Sequence, residues 1–211
     1  MITRVGSGGF PEIWKTKEHI SLEGPPGVGK TSVGQALDRL LGGNAHWLPT
    51  FTSRPQREGE VNGKERFFVP QCEFLRLGKA GIFIPSTVHA VEVNGKVYYK
   101  AIAEYEYWIN PPEDAPAIIS AFGSKTLMIR ETIRPPRMMT FFIGLHHDFP
   151  LMKRLYDRAV KEGSDPTYKL QYIDEYMKSE PWRKYDHLVY NEGTPEECAR
   201  EIIRLAGFPL T

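Results

Sequence analysis

The spacing of apolar residues changes period early in the chain. Residues 19–24, around Ile20 and Leu22, form a short apolar run that predicts a strand. Residues 32–41 then bring Val33, Ala36, Leu37, Leu40 and Leu41 to one side at helical spacing, and the paired Gly42-Gly43 supply a stop. From Trp47 to about Ala101 the texture is different. Short β-rich pieces at 66–69, 90–93 and 96–100 alternate with turn signals. Val61-Asn62-Gly63-Lys64 and Val93-Asn94-Gly95-Lys96 are near copies, and each Asn-Gly pair predicts a tight hairpin turn. After Pro111-Pro112 the core texture returns. Residues 117–122 and 138–145 read as buried strands, with 124–133 as a helix between them. Residues 150–160 suit a helix that feeds a polar, mobile segment at 161–167. Residues 168–177 are helical again, with Tyr172, Ile173 and Tyr176 on one side. A last strand at 186–190 precedes a closing helix at 194–205, capped by Thr194 with Pro195 at its first position.

Strands alternating with helices predict an α/β fold, a three-layer arrangement around a mainly parallel sheet. The β-rich stretch is then an insert suited to covering a substrate. Residues 1–18, with Gly6-Ser7-Gly8-Gly9, read as an irregular leader.

Composition narrows this picture modestly. At 211 residues the chain suits one α/β domain with a small insert, and 41% hydrophobic with 25% charged residues is ordinary for a soluble globular protein. A formal net charge of +1 argues against a global basic field for long nucleic acids and leaves room for a local basic groove. Cys72 and Cys198 lie far apart without metal-ligand spacing, which points to a reducing compartment. No segment is apolar for long enough to read as a signal peptide or a membrane span, so the expectation is a cytoplasmic protein without a membrane partner.

The chemistry concentrates between the first strand and the first helix. Gly24-Pro25-Pro26-Gly27-Val28-Gly29-Lys30-Thr31 fits the phosphate-binding pattern G-x-x-x-x-G-K-[ST], in the strand–loop–helix setting that the pattern requires. The glycines let the backbone curl so that several N–H groups face one phosphate chain at the positive end of the next helix. Gly24, Pro25, Pro26, Gly27, Val28, Gly29, Lys30, Thr31 and Ser32 are therefore the candidate nucleoside-triphosphate-binding residues. Lys30 would reach the terminal phosphates and Thr31 would ligate Mg2+.

A second run, Thr52-Ser53-Arg54-Pro55-Gln56-Arg57-Glu58-Gly59-Glu60-Val61-Asn62-Gly63, sets two arginines three apart before a glutamate. The guanidinium fork grips phosphate through two parallel hydrogen bonds, and a nearby carboxylate can orient it. By itself the run also fits an exposed charged loop.

Together with the phosphate loop, this run resembles the guanylate kinase family, which carries T-[ST]-R-x-x-[KR]-x-x-E-x-x-G at a similar distance. Thr52, Ser53, Arg54, Arg57, Glu60 and Gly63 occupy every fixed position. The resemblance implies a P-loop kinase fold with a nucleotide-monophosphate-binding insert at 48–101 and a mobile lid at 154–170, within a kinase domain of residues 19–211. It implies a nucleotide kinase that uses ATP and Mg2+ and phosphorylates a nucleoside monophosphate, (d)GMP or a related (d)NMP. Arg54 and Arg57 would hold the acceptor phosphate, with Glu60 beside them. Thr50, Ser53, Arg66, Tyr98 and Tyr99 complete the acceptor set. Arg154-Leu155-Tyr156-Asp157-Arg158 resembles the family's lid run R-L-x-x-R, and Lys169 falls where a second lid arginine is usual. Lys30, Arg54, Arg158 and Lys169 are thus the expected charge-stabilising residues, although Arg158 and Lys169 equally fit solvated helix charges. His187-Leu188-Val189-Tyr190-Asn191 resembles the late strand ending in an Asn near the adenine.

The departures fall on base recognition. Arg66 stands where the family has a tyrosine. Gly81-Ile82-Phe83-Ile84-Pro85 ends in proline where a guanine-reading glutamate is usual, with Glu92 as the nearest substitute. Tyr98-Tyr99 lacks the flanking glycines, and residues 117–122 lack the usual aspartates. Guanine presents N–H donors that a carboxylate would accept, so its loss removes discrimination. The alternative acceptors are a hydroxymethylated base in DNA or another small phosphorylated metabolite. A phosphopeptide-binding module is a third class, disfavoured because such guanylate kinase-like domains have generally lost the phosphate loop, which is intact here. His146-His147-Asp148 reads as a surface loop, since adjacent side chains on an extended chain diverge. Of the aromatic run Tyr98, Tyr99, Tyr105, Tyr107 and Trp108, the last is expected to pack the insert on the core. The assembly expected is a monomer or a homodimer.

Overall fold

The computed structural model describes residues 17–48, 50–57, 59–64, 66–93, 95–103, 113–120, 130, 138–145, 152–153, 156–157, 160 and 167–209. All of the predicted helix at 124–133 except residue 130, the segment 161–166, residues 1–16 of the leader at 1–18 and most of the lid at 154–170 lie outside them.

The first strand, β1 (Glu18–Glu23), is buried almost throughout because it takes partners on both edges and cover on both faces. The central sheet has the order β2 (His46–Trp47), β7 (Ala117–Ser120), β1, β8 (Met138–Gly144), β9 (His187–Tyr190), and every pairing in it is parallel. Ser21 and Ser120 sit opposite each other in that register and share a 2.7 Å hydrogen bond between their hydroxyls, so these polar groups are satisfied inside the sheet.

Helix α1 (Lys30–Leu40) buries Val33, Ala36 and Leu37 on the sheet and packs against α4 (Pro195–Ala206). Gly34 has a packing reason. A Cβ there would lie 2.5 Å from the Trp47 ring, so only glycine lets that indole lie on the helix. Helix α4 opens with the predicted cap: the Thr194 hydroxyl accepts the Glu197 N–H and the Glu197 carboxylate accepts the Thr194 N–H. Ile202 and Ile203 carry its buried face. Helix α3 (Thr167–Lys178) buries Ile173, while Tyr176, with Trp182 and Tyr185 from the turn that follows, surrounds Phe142.

The second sheet has the order β4 (Phe67–Phe68), β3 (Thr50–Thr52), β6 (Lys96–Ile102), β5 (His89–Val93). Two expectations change here. The turn at Val93–Lys96 is the predicted hairpin, with Gly95 at φ 68° and β5 antiparallel to β6. The turn at Val61–Lys64 also exists, closed by the Lys64 N–H on the Val61 carbonyl at 3.2 Å, but it joins no hairpin: β3 and β4 pair in parallel, so the chain between them crosses over. The insert is also less purely β than its turn signals imply. Helix α2 (Gln71–Lys79) covers one face of its sheet through Phe74 and Leu77, an amphipathic pattern too short to stand out among neighbouring strand-like pieces.

Strand alternation sorts that sheet into two faces. Phe51 stands opposite Ala101 and turns with Tyr99 toward Phe74, Phe67 and Phe83 in an aromatic core. Thr50, Thr52 and Lys100 alternate with them, and Thr52 stands opposite Lys100.

Candidate functional site

The phosphate loop spans the end of β1 and the start of α1. Gly24, Gly27 and Gly29 adopt φ of 140°, 84° and 100°, a region closed to most side chains. At Gly24 a Cβ would meet the Ile143 carbonyl oxygen at 2.3 Å, so the turn lies hard against the neighbouring strand β8. Helix α1 begins with no side chain capping its first N–H groups. The Lys30 ammonium donates to the Gly24 carbonyl at 2.7 Å and the Pro25 carbonyl at 3.0 Å, which holds it across the mouth of the loop. Thr31 is half-buried on the first turn and Ser32 is exposed beside it. Curled backbone, uncapped helix amides and an ammonium at the rim suit an anionic phosphate chain.

Asn191, which follows β9, lies beneath this loop. Its Nδ2 donates to the Val28 carbonyl at 2.7 Å from a buried position, and a Cβ on Gly29 would sit 2.5 Å from that same nitrogen. The side chain braces the loop from below. Glu23, also buried, accepts the Gly24 N–H at 3.0 Å.

The Arg54 loop forms a second structured site. Arg54 is only 6% exposed, and its two terminal nitrogens grip the two carboxylate oxygens of Glu60, at 2.8 Å for the Nη1–Oε2 contact. Arg54 also donates to the Pro55 carbonyl at 2.8 Å and stacks its guanidinium 5.1 Å from the Phe68 ring centre. The Arg57 N–H donates to Glu60 at 2.8 Å. Burial alone would raise the Glu60 pKa, but the hydrogen bonds from Arg54 and the Arg57 N–H, with the charges of Arg54 and Arg66, hold it below the ordinary 4.5. The turn is therefore a preorganised, cationic surface.

Ser53 and Tyr99 lock the two strands together. The Ser53 N–H donates to the Tyr99 carbonyl at 2.9 Å, and the Tyr99 N–H donates to Ser53 Oγ at 2.8 Å. The Tyr99 ring packs beside Phe74, with ring centres 5.8 Å apart, so it joins the insert's core. Tyr98 is half-buried on the opposite face, Thr50 is buried, and Arg57 and Arg66 are half-buried. Pro85, in the segment where a base-reading acid would stand, is exposed and opens a short 3-10 turn; the neighbouring Thr87 hydroxyl is engaged by Ile84 and Ile102.

Lys100 is the residue that sequence reasoning missed. Burial depresses its ammonium, with the charges of Arg66, Arg54, Lys30 and Arg57 adding to the effect, and its pKa falls to about 7. Those four charges also fix where Lys100 sits. Lys100 stands within electrostatic reach of the phosphate-loop lysine and of the arginines of the second site, so the two cationic groups adjoin. The available signal was the register: a lone charge in an otherwise apolar strand half, opposite Thr52.

Arg158 and the Lys169 side chain lie outside the described residues, as do the side chain of Glu92 and residues 146–148. Among the described residues, no group of three or more His, Cys, Asp or Glu side chains is placed to hold a metal ion, and no helix is long and apolar enough to cross a membrane.

The family model for guanylate kinase matches residues 16–106, which carry both the phosphate loop and the Arg54 loop. Among curated relatives, guanylate kinase 2, chloroplastic/mitochondrial, of Oryza sativa subsp. japonica is 28% identical over 186 residues, 87% of this chain and 61% of its own length. The chain thus spans less than two thirds of that relative. The guanylate kinase of Chlamydia pneumoniae is 28% identical over 173 residues, 82% of this chain and 79% of its own length. Among solved structures, the guanylate kinase of Anaplasma phagocytophilum superposes with a TM-score of 0.59 at 21% identity, over 90% of this chain and 85% of that one.

Proposed function

We propose that this chain, which resembles the guanylate kinase family over residues 16–106, transfers the γ-phosphoryl group of ATP to the phosphate of a nucleoside monophosphate, (d)GMP or a related (d)NMP. The observation that carries this reading is the adjacency of two cationic groups around Lys100, one on the phosphate loop and one on the Arg54 turn. A donor and an acceptor phosphate bound there meet without crossing open solvent.

Transfer breaks the bond between the γ-phosphorus and its bridging oxygen and forms one to an acceptor phosphate oxygen, giving ADP and a nucleoside diphosphate. Such a step needs alignment and positive charge more than covalent help. Lys30 and the α1 amides hold the donor phosphates. Arg57 clamps the acceptor phosphate, and Arg54, locked by Glu60, presents a fixed guanidinium edge. Arg158 and Lys169 are assigned to charge neutralisation from the lid. Magnesium, held in part by Thr31, supplies further charge neutralisation when bound.

One observation favours a second reading of the acceptor. Pro85 stands where a guanine-reading carboxylate is usual, while Arg66 and Lys100 add charge beside the phosphate ligands. A small phosphorylated metabolite, or a hydroxymethylated base in DNA, then competes with GMP. The test is ADP formation screened against the common NMPs and dNMPs, phosphorylated sugars, and single- and double-stranded DNA. Turnover with GMP or dGMP supports the first reading. Label transfer to DNA alone, with no monophosphate turned over, overturns it.

A further inference from the structure

We propose that Lys100 is an additional ligand for the acceptor's phosphate, and that the anion enters its site together with a proton. The inference rests on the reading of Arg54 and Arg57 as acceptor-phosphate ligands.

The geometry comes from the strand register. Lys100 lies between Thr52 on β3 and His89 on β5, its direct neighbours across the insert's sheet. Its alternation partners Tyr99 and Ala101 take the apolar face toward Phe74 and Phe51, so the Lys100 side chain falls on the other face. That face meets the Arg54 turn. Arg54, Arg57 and Arg66 approach from the loop between β3 and β4, and Lys30 approaches from the first turn of α1. The carboxylate of that loop, Glu60, is taken up by the Arg54 fork and the Arg57 N–H. His89 is turned by its Nδ1 toward the Thr87 carbonyl at 2.9 Å.

An ammonium half-buried among four cations is costly, which is why its proton is held weakly. A phosphate dianion placed among the same groups reverses the balance. It attracts the proton to Lys100, and the ammonium then donates to a phosphate oxygen. Above about pH 7 the ligand-free site holds up to one proton less than the loaded one. The consequence is specific: acceptor binding consumes a proton above about pH 7, and binding weakens as pH rises, although the phosphate itself stays dianionic.

Calorimetric titration with GMP, and separately with ribose 5-phosphate, tests this at about pH 8, above the second pKa of a phosphate monoester near ~6. Two buffers of different ionisation enthalpy report the protons exchanged. The expected result is an uptake approaching one proton per anion in the wild-type protein. Lys100→Met should take up none and bind about tenfold or more weakly, the scale of one charge-assisted hydrogen bond. Lys100→Arg should keep most of the affinity without the uptake, since arginine stays charged. The proposal is overturned if Lys100→Met keeps wild-type affinity and uptake, if the wild-type protein takes up no proton, or if neither compound binds it. Turnover separates this from the kinase reading. Lys100-dependent binding of ribose 5-phosphate without turnover of any monophosphate keeps the site and removes that reading. Turnover of a monophosphate with no Lys100 dependence does the reverse.

Discussion

Lys64 Nζ lies 2.6 Å from Asp38 Oδ2, so the loop that carries Arg54 and Arg57 is tied to the helix that leaves the phosphate loop. The Asp38 side chain is 3% exposed and also accepts the Ala45 N–H at 3.1 Å, while the Lys64 side chain remains 45% exposed. A buried carboxylate with a solvated partner should contribute more than a surface pair, because losing the lysine leaves charge in a desolvated place. Asp38→Ala is expected to cost about 1–3 kcal/mol in urea unfolding, through the lost Ala45 hydrogen bond as well as the ion pair. A double-mutant cycle with Lys64→Ala should give a coupling above about 0.5 kcal/mol. Strict additivity would remove the tie between insert and core.

Asn191 and Gly29 make a second testable pair. Asn191→Ala removes the donor to the Val28 carbonyl and is expected to weaken ATP binding several-fold, at a stability cost of about 1–2 kcal/mol. Gly29→Ala meets two obstacles, a φ of 100° and a Cβ contact of 2.5 Å with Asn191 Nδ2. Combining it with Asn191→Ala relieves the contact and leaves the backbone strain. Nucleotide affinity, measured by fluorescence titration, should therefore recover only in part. Full recovery would show that the loop tolerates the backbone strain.

These pairs mark where the sequence was readable. The phosphate loop and Thr194 cap are local: each turn and its chemistry lie within a few residues, so spacing alone specifies them. The parallel core sheet followed from alternating apolar runs. What escaped depends on chain segments meeting across long separations. Whether Asn62-Gly63 makes a hairpin is decided by β3 pairing with β4 in parallel, which no dipeptide encodes. Asn191 meets Val28 from the far side of β8, 163 residues away in sequence. Lys100 looked like the end of a strand, and only its register opposite Thr52 sets it among Arg54, Arg57 and Arg66.

The Glu60 carboxylate gives an acid-side prediction. Its pKa lies below 4.5 in the folded protein, so its contribution is fully present above that value and is lost as pH falls through the folded value. Glu60→Gln should remove this part of the acid sensitivity, flattening the melting temperature below about pH 4.5 relative to wild type. Near neutral pH the same variant frees Arg54 from its lock and should raise the acceptor KM by about tenfold or more while leaving the ATP KM within about twofold. Equal changes in both constants would show that Glu60 acts on the fold as a whole.

Lys100 predicts the opposite slope on the alkaline side. Its folded pKa of about 7 lies below the ordinary 10.5, so between those values the unfolded chain binds more protons than the native one. Stability from this group therefore rises with pH across that window, and its penalty is complete below about pH 7. Lys100→Met removes the penalty. Ligand-free protein should then melt higher than wild type at about pH 7, by roughly 2–4 °C for each kcal/mol recovered. The difference should shrink as pH rises toward about 10.5, where the wild-type lysine is neutral in the folded state and half-charged in the unfolded one. Saturating GMP should narrow the difference at neutral pH, because the anion binds the lysine form more tightly. Melting curves that stay parallel at every pH, with and without GMP, would mean that Lys100 is solvated and takes no part in the cationic cluster.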